Sequence, residues 1–242
     1  MYHSNIELKE GAFIVSDAHY SYKRPQLLEF LKDIKSKKLL PSQLILMGDI
    51  FDALFGGIKK TLDENQESVS IINDISTDIE VIYLEGNHDF NLKKIFPDVK
   101  VFSISEQPFS CTYNRKKVIL AHGDYDGAFF YKLYTALIRN RFILKFLNIF
   151  DEYILNKLDG YLGKKDDCKE LDWFDGFIKR RLSDRYDCDY FIEGHFHQNK
   201  VIKLGSMNYI NLGAFACNQR YYIVKSLQDK ELLEENIFSK ET

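Results

Sequence analysis

The chain of 242 residues reads as an α/β fold carrying a helical insertion. Three observations lead there. Short apolar runs rich in β-branched and aromatic residues alternate with helical spacing between residues 12 and 120. Residues 129 to about 181 keep helical spacing and offer no strand. Strand patterns then return between residues 190 and 225. A helical block set inside one sheet-forming pattern is expected to be an insertion, not a second domain. Residues 1–242 are therefore expected to form a single domain, with an insertion or cap over about 128–182.

The elements follow in order. Residues 12–15 read as a strand, and 25–37 as a helix that Pro25 can open, because a proline in the first turn sacrifices no hydrogen bond. Residues 43–47 are the next strand, 64–75 the second helix and 80–84 the third strand. Residues 99–103, 109–113 and 117–121 read as further strands, the last two joined by a turn at Asn114-Arg115. Beyond the insertion, strands are expected at 190–193, 200–204, 208–212 and 220–225. The tail from Gln228 is charged and is assigned no element.

Composition narrows the function classes. With 45% hydrophobic residues the chain can bury one sizeable core. A net charge of −3 gives no overall attraction to nucleic acid, and no nucleic-acid partner is expected. Cys111, Cys168, Cys188 and Cys217 form no CxxC pair, so they are expected to be reduced, mostly buried thiols of a cytoplasmic protein. Residues 1–10 are polar and lack the apolar core of a signal peptide, and no run of about 18 uncharged apolar residues exists to span a membrane.

The chemistry is concentrated in five clusters. They are Asp17-Ala18-His19, Gly48-Asp49-Ile50-Phe51-Asp52, Gly86-Asn87-His88-Asp89, His122-Gly123-Asp124 and Gly194-His195-Phe196-His197. Five of the six histidines lie in them, and only His3 falls outside. Each cluster closes an apolar strand, and open α/β sheets gather their sites beyond the carboxyl ends of strands. Asp17, His19, Asp49, Asn87, His122, His195 and His197 offer seven ligands of mixed nitrogen and oxygen type. Such a set suits two divalent ions of manganese, iron, zinc or cobalt, with the Asp49 carboxylate able to bridge them. Taken singly, His19 could be a surface residue, Asn87-His88-Asp89 a turn, and Asp49 or Asp52 a helix cap. Five such coincidences in order are not expected.

DxH, GDxxD, GNHD, HGD and GHxH, in this order over positions 12 to about 216, resemble the calcineurin-like metallophosphoesterase family. The resemblance implies a four-layer sandwich of two mixed β-sheets flanked by helices, and hydrolysis of a phosphoester. It also implies that Asp17, His19 and His197 hold one cation, that Asn87, His122 and His195 hold a second, and that Asp49 bridges. His88 would stand beside the transferring phosphorus as a non-ligand acid, oriented by Asp89. Asp52 would support a ligand histidine from behind.

The substrate is sought in the insertion. Between Ala128 and Phe150 the chain carries Lys132, Arg139, Arg141 and Lys145 among many aromatics and no acidic residue. A basic, aromatic, amphipathic block suits a lipid-bearing anion or a membrane surface, and Lys132, Arg139 and Arg141 are its candidate substrate contacts. It could equally be a helical hairpin packed on the core, with solvated lysines outside. Size, insertion and the Asn211-Leu212-Gly213-Ala214 segment are similar to the UDP-2,3-diacylglucosamine pyrophosphatases. That resemblance implies release of UMP and 2,3-diacylglucosamine 1-phosphate in lipid A biosynthesis, with manganese, peripherally at the cytoplasmic face of the inner membrane. His88 stands where a well-studied branch of that group has arginine, so a general phosphodiesterase acting on nucleotides or other phosphodiesters stays open. A scaffold that keeps the fold without catalysis is the third reading.

Overall fold

The computed structural model describes residues 3–127, 129–140, 143–144, 168–226 and 231–239. Strands β2 (Phe13–Val15), β3 (Leu44–Leu46), β5 (Val81–Leu84) and β7 (Lys100–Phe102) run parallel in one sheet, continued on the β2 side by antiparallel β13 (Arg220–Val224) and β14 (Leu233–Ile237). A second sheet has the order β1-β8-β9-β10-β12-β11, from β1 (His3–Glu7), β8 (Phe109–Tyr113), β9 (Lys116–Ala121), β10 (Tyr190–Glu193), β12 (Met207–Asn211) and β11 (Lys200–Leu204). The short strands β4 (Leu54–Phe55) and β6 (Asp89–Phe90) pair apart from both.

The period-two pattern explains the layers. Ile14, Ile45, Ile82 and Leu84 point from the first sheet toward Phe109, Val118, Leu120 and Ile192 of the second, forming the inner core. Their neighbours Phe13, Val15, Leu44, Leu46, Val81 and Tyr83 face the other way, onto helices α1 (Gln26–Lys35) and α3 (Gln66–Asp78). On the outer face of the second sheet, Ile119, Ala121 and Phe191 meet Phe174, Ile178 and Leu182 of a helix at Phe174–Leu182. The fold is thus two mixed sheets with helices on both outer faces, as expected.

Most expected elements fall within two residues of their observed bounds, and the Asn114-Arg115 turn forms with both residues at positive φ. The second helix differs. It is α3, and a short helix that was not expected, α2 (Lys59–Glu64), precedes it; between them Asn65 turns its amide onto the carbonyls of Ala53 and Thr61 at 2.9 and 2.8 Å. Strands β1 and β14 were not expected. Within the insertion, α4 (Phe129–Ile138) and α5 (Phe174–Leu182) are helical as anticipated. Arg141, Lys145 and the side chain of Lys132 lie outside what is described.

The expectation of four free thiols is corrected. Cys168 and Cys217 form a disulfide across 49 residues, joining the C-terminal root of the insertion to α6 (Phe215–Asn218). Cys111 and Cys188 are free and buried, as expected.

Candidate metal centre

The five clusters converge because their strands are neighbours. Val15, Leu46 and Tyr83 share a register across β2, β3 and β5, which brings the Asp17, Asp49 and Asn87 loops to one edge. Ala121 and Glu193 share a register across β9 and β10, which does the same for the His122 and His195 loops. The two edges meet. Asp17, His19 and His197 present ligand atoms within 4.8 Å of one another, and so do Asp49, His122 and His195. Nε2 of His197 lies 3.1 Å from Oδ1 of Asp17, and Nε2 of His122 lies 3.4 Å from Oδ2 of Asp49.

The backbone is held in a costly shape to achieve this. Asp17, His19, Asp49, His195 and His197 all have φ between 44° and 63°, where side-chain-bearing residues are uncommon. Two glycines permit the close approach. A Cβ on Gly48 would stand 2.5 Å from Nδ1 of His122, and one on Gly194 would stand 2.6 Å from Oδ2 of Asp17.

Several donors are aimed and left open. Among the described residues, Asp17 Oδ1, Asn87 Oδ1 and His122 Nε2 are buried without a hydrogen-bond partner. Buried polar atoms are normally satisfied, so an unsatisfied cluster of metal-type donors marks where cations fit. The other atoms of these side chains are tied down. Nδ1 of His122 donates to the Met47 carbonyl at 2.9 Å, and the Asp17 carboxylate accepts from the His195 amide at 2.9 Å and from the Ser16 hydroxyl. Nδ1 of His19 lies 3.4 Å from Oδ1 of Asp52, where a carboxylate can steady the ring.

Protonation states follow from the same contacts. Burial alone would raise Asp17, yet the His197 ring beside it holds it far below the usual carboxylate range. Asp49 is also depressed, because His122 and His88 outweigh its burial. Burial and the neighbouring His122 push His195 down to about 3, so its ring is a neutral donor. His122 moves the other way, raised against its burial by the Asp49 carboxylate.

His88 and Asp89 depart from the expected pair. The Asp89 carboxylate does not orient the His88 ring. It accepts from the amides of Asp49, Ile50 and Gly86 at 3.1, 2.6 and 2.9 Å and from the Tyr83 hydroxyl at 2.6 Å. Asp89 therefore holds the Asp49 and Gly86 turns together, and burial beside Asp49 pushes it up to about 7. Nδ1 of His88 instead donates to the Asp52 carbonyl at 2.9 Å, which leaves Nε2 4.0 Å from Oδ2 of Asp49. His19, Asp52 and His88 form a third grouping within 4.8 Å.

A family model described as calcineurin-like phosphoesterase matches residues 12–199. The chain belongs to this family. It is accordingly a phosphoesterase, a hydrolase of a metal-dependent family. A UDP-2,3-diacylglucosamine hydrolase of Wigglesworthia glossinidia brevipalpis is 25% identical over 213 residues, spanning 82% of this chain and 84% of the relative. One of Salmonella arizonae is 21% identical over 206 residues, spanning 81% and 85%. Among solved structures, an archaeal phosphodiesterase is 15% identical with a TM-score of 0.45, covering 94% of this chain and 99% of its own. A phosphoesterase from E. coli is 13% identical with a TM-score of 0.46, covering 94% and 99%.

Around this phosphoesterase site stand residues that the sequence did not single out. Arg181 of α5 is buried, donating to Asp126, to both oxygens of Glu193 and to the Gly123 carbonyl. Its plane lies 5.0 Å from the Tyr125 ring and 5.6 Å from the Phe196 ring. It thereby braces the His122 and His195 loops together. The only sequence signal was position: Arg181 follows Phe177 by four, next to the buried Phe174-Ile178-Leu182 stripe. Asn211 holds the next turn, donating to the Gly194 carbonyl at 2.7 Å and accepting from the Gln198 amide at 2.7 Å.

Proposed function

We propose that this chain hydrolyses phosphoesters at a centre of two divalent cations held by Asp17, His19 and His197 on one side and Asn87, His122 and His195 on the other, with Asp49 shared. The observation that carries this reading is the pair of three-residue ligand groups meeting at the ends of both sheets, with buried donor atoms left open. The cations, manganese being our choice, would supply Lewis acidity toward water and toward a phosphoryl oxygen. The protein's own part is positional and acidic. Asp17 and Asp49 stay ionised, and His195 stays neutral. His88 is fixed through Nδ1, so a proton carried on Nε2 faces the site and can pass to the leaving oxygen.

The substrate in this reading is a lipid-linked nucleotide pyrophosphate of the UDP-2,3-diacylglucosamine type, cleaved to UMP and 2,3-diacylglucosamine 1-phosphate at the cytoplasmic face of the inner membrane. The likeness to hydrolases of that name, over 81–82% of the chain at 21–25% identity, supports it. So do the half-exposed apolar residues Leu133, Leu137 and Trp173 on the described roots of the insertion, which could meet acyl chains. None of the described helices is long and apolar enough to cross a membrane, so contact would be peripheral. Substrate profiling with manganese tests the reading. Release of UMP from UDP-2,3-diacylglucosamine is expected, with cyclic nucleotides untouched. Turnover of cyclic or simple diesters alone would favour the general phosphodiesterase, and a chain that binds no metal and hydrolyses nothing would be a scaffold.

A further inference from the structure

Arg139 follows the last turn of α4, where the insertion meets the metal loops. Nη2 donates to the Gly86 carbonyl at 2.7 Å and lies 3.6 Å from Oδ2 of Asp124. The guanidinium stands 5.2 Å from the Phe90 ring centroid. Only 10% of the side chain is exposed. Among the described residues, Nε and Nη1 are buried and have no hydrogen-bond partner.

Arg181 is equally buried but spends its donors on two carboxylates and a carbonyl, as a structural arginine does. A residue meant only to anchor the insertion would not leave two guanidinium nitrogens dry and idle, since each such donor costs free energy. An acceptor brought by a ligand removes that cost. A guanidinium with open N–H groups selects an oxyanion, phosphate before all others in a phosphoesterase.

Position names which phosphate. Gly86 precedes Asn87, and Asp124 lies two residues beyond His122, so Arg139 touches both loops that bear those donors. The phosphoryl group under attack belongs between the two ligand groups. A fixed positive charge just beyond the Asn87–His122 side meets the next anionic group along the substrate. We propose that Arg139 receives the non-transferred phosphate of a pyrophosphate diester, and so makes the chain prefer pyrophosphate diesters to isolated phosphodiesters. This deepens the phosphoesterase reading and rests on it.

The test compares wild type, Arg139→Lys and Arg139→Met, all loaded with manganese, on a nucleoside diphosphate sugar and on bis(p-nitrophenyl) phosphate. The ratio of the two kcat/KM values is expected to fall about 30-fold in Arg139→Met, the worth of a charge-assisted hydrogen bond, with Arg139→Lys recovering part of it. Binding of methylenediphosphonate, read by calorimetry, should weaken by a similar factor, and manganese content should not change. Hydrolysis with an unchanged ratio, or equal losses on both substrates with loss of manganese, would overturn the inference alone. A wild type inert on both substrates, whose diphosphonate binding still depends on Arg139, would overturn the hydrolase reading alone.

Discussion

A metal ion and a proton compete for Nε2 of His122. Nδ1 is committed to the Met47 carbonyl, so Nε2 is the atom that faces Asp49 at 3.4 Å. In the metal-free chain that nitrogen holds a proton, because Asp49 raises His122 above its ordinary 6.5. The sign follows. A raised histidine contributes stability that is full below pH 6.5 and falls away as pH climbs through its folded value. Metal binding must expel this proton, so apparent manganese affinity should rise with pH and release a proton. Calorimetry in buffers of different ionisation enthalpy would show it, and a pH-independent affinity would contradict it. His88 gives a second expectation. Its backbone amide, not its ring, binds Oδ1 of Asp49 at 2.8 Å, so His88→Ala keeps that support. Turnover should fall roughly 10²- to 10⁴-fold with metal content intact, as for loss of a general acid. Loss of bound metal in this variant would instead make His88 a ligand of the His19-Asp52-His88 group.

At the scale of elements, the described roots of the insertion are fastened to the loops that carry the donors. Arg139 ties the end of α4 to Gly86, and Arg181 ties α5 to Gly123 and Glu193. The Cys168–Cys217 disulfide ties the chain before α5 to α6, whose first amides bond the carbonyls of Ser16 and Asp17 at 2.9 and 3.1 Å. Arg181→Met would leave Glu193 buried without its cation. Breaking such a pair costs about 3–5 kcal/mol, roughly a 10 °C drop in Tm at this chain length. Adding Glu193→Gln should recover much of it, and a single variant melting like wild type would show that Arg181 braces nothing. These ties also explain what the sequence could and could not show. The ligands were legible because each follows a strand in parallel pairing whose buried apolar run is unmistakable. The edge strands β1 and β14 were not. Leu233-Glu234-Glu235-Asn236-Ile237 is mostly solvated and carries a polar pattern. The disulfide was hidden because spacing says nothing about pairing. The Asp89 contacts were hidden because they depend on a turn meeting Tyr83 and the Asp49 loop across the sheet.

For the whole molecule, the decisive fact is that each proposed cation would draw donors from both sheets. Asp17 and His19 leave the first sheet and His197 the second; Asp49 and Asn87 leave the first and His122 and His195 the second. The inner core between the sheets is apolar and holds them face to face, but at this edge the opposing groups are carboxylates, imidazoles and left-handed backbone. Without cations, the site is a place where charge is buried and donors go unpaired. With them, it would become a cross-link between the sheets. Ligand bound only to the folded chain adds about 2.7 kcal/mol at a hundredfold excess over Kd, so each ion should raise Tm by roughly 5–10 °C. Chelation should therefore lower the melting temperature, and manganese should restore it. Asp49→Ala, which removes the shared carboxylate, should abolish most of the manganese-dependent rise. Asp63→Ala, at an exposed ion pair with Lys59 on α2, should keep it. A melting temperature unmoved by chelator, or a rise that survives in Asp49→Ala, would mean that no ion joins the sheets at this edge.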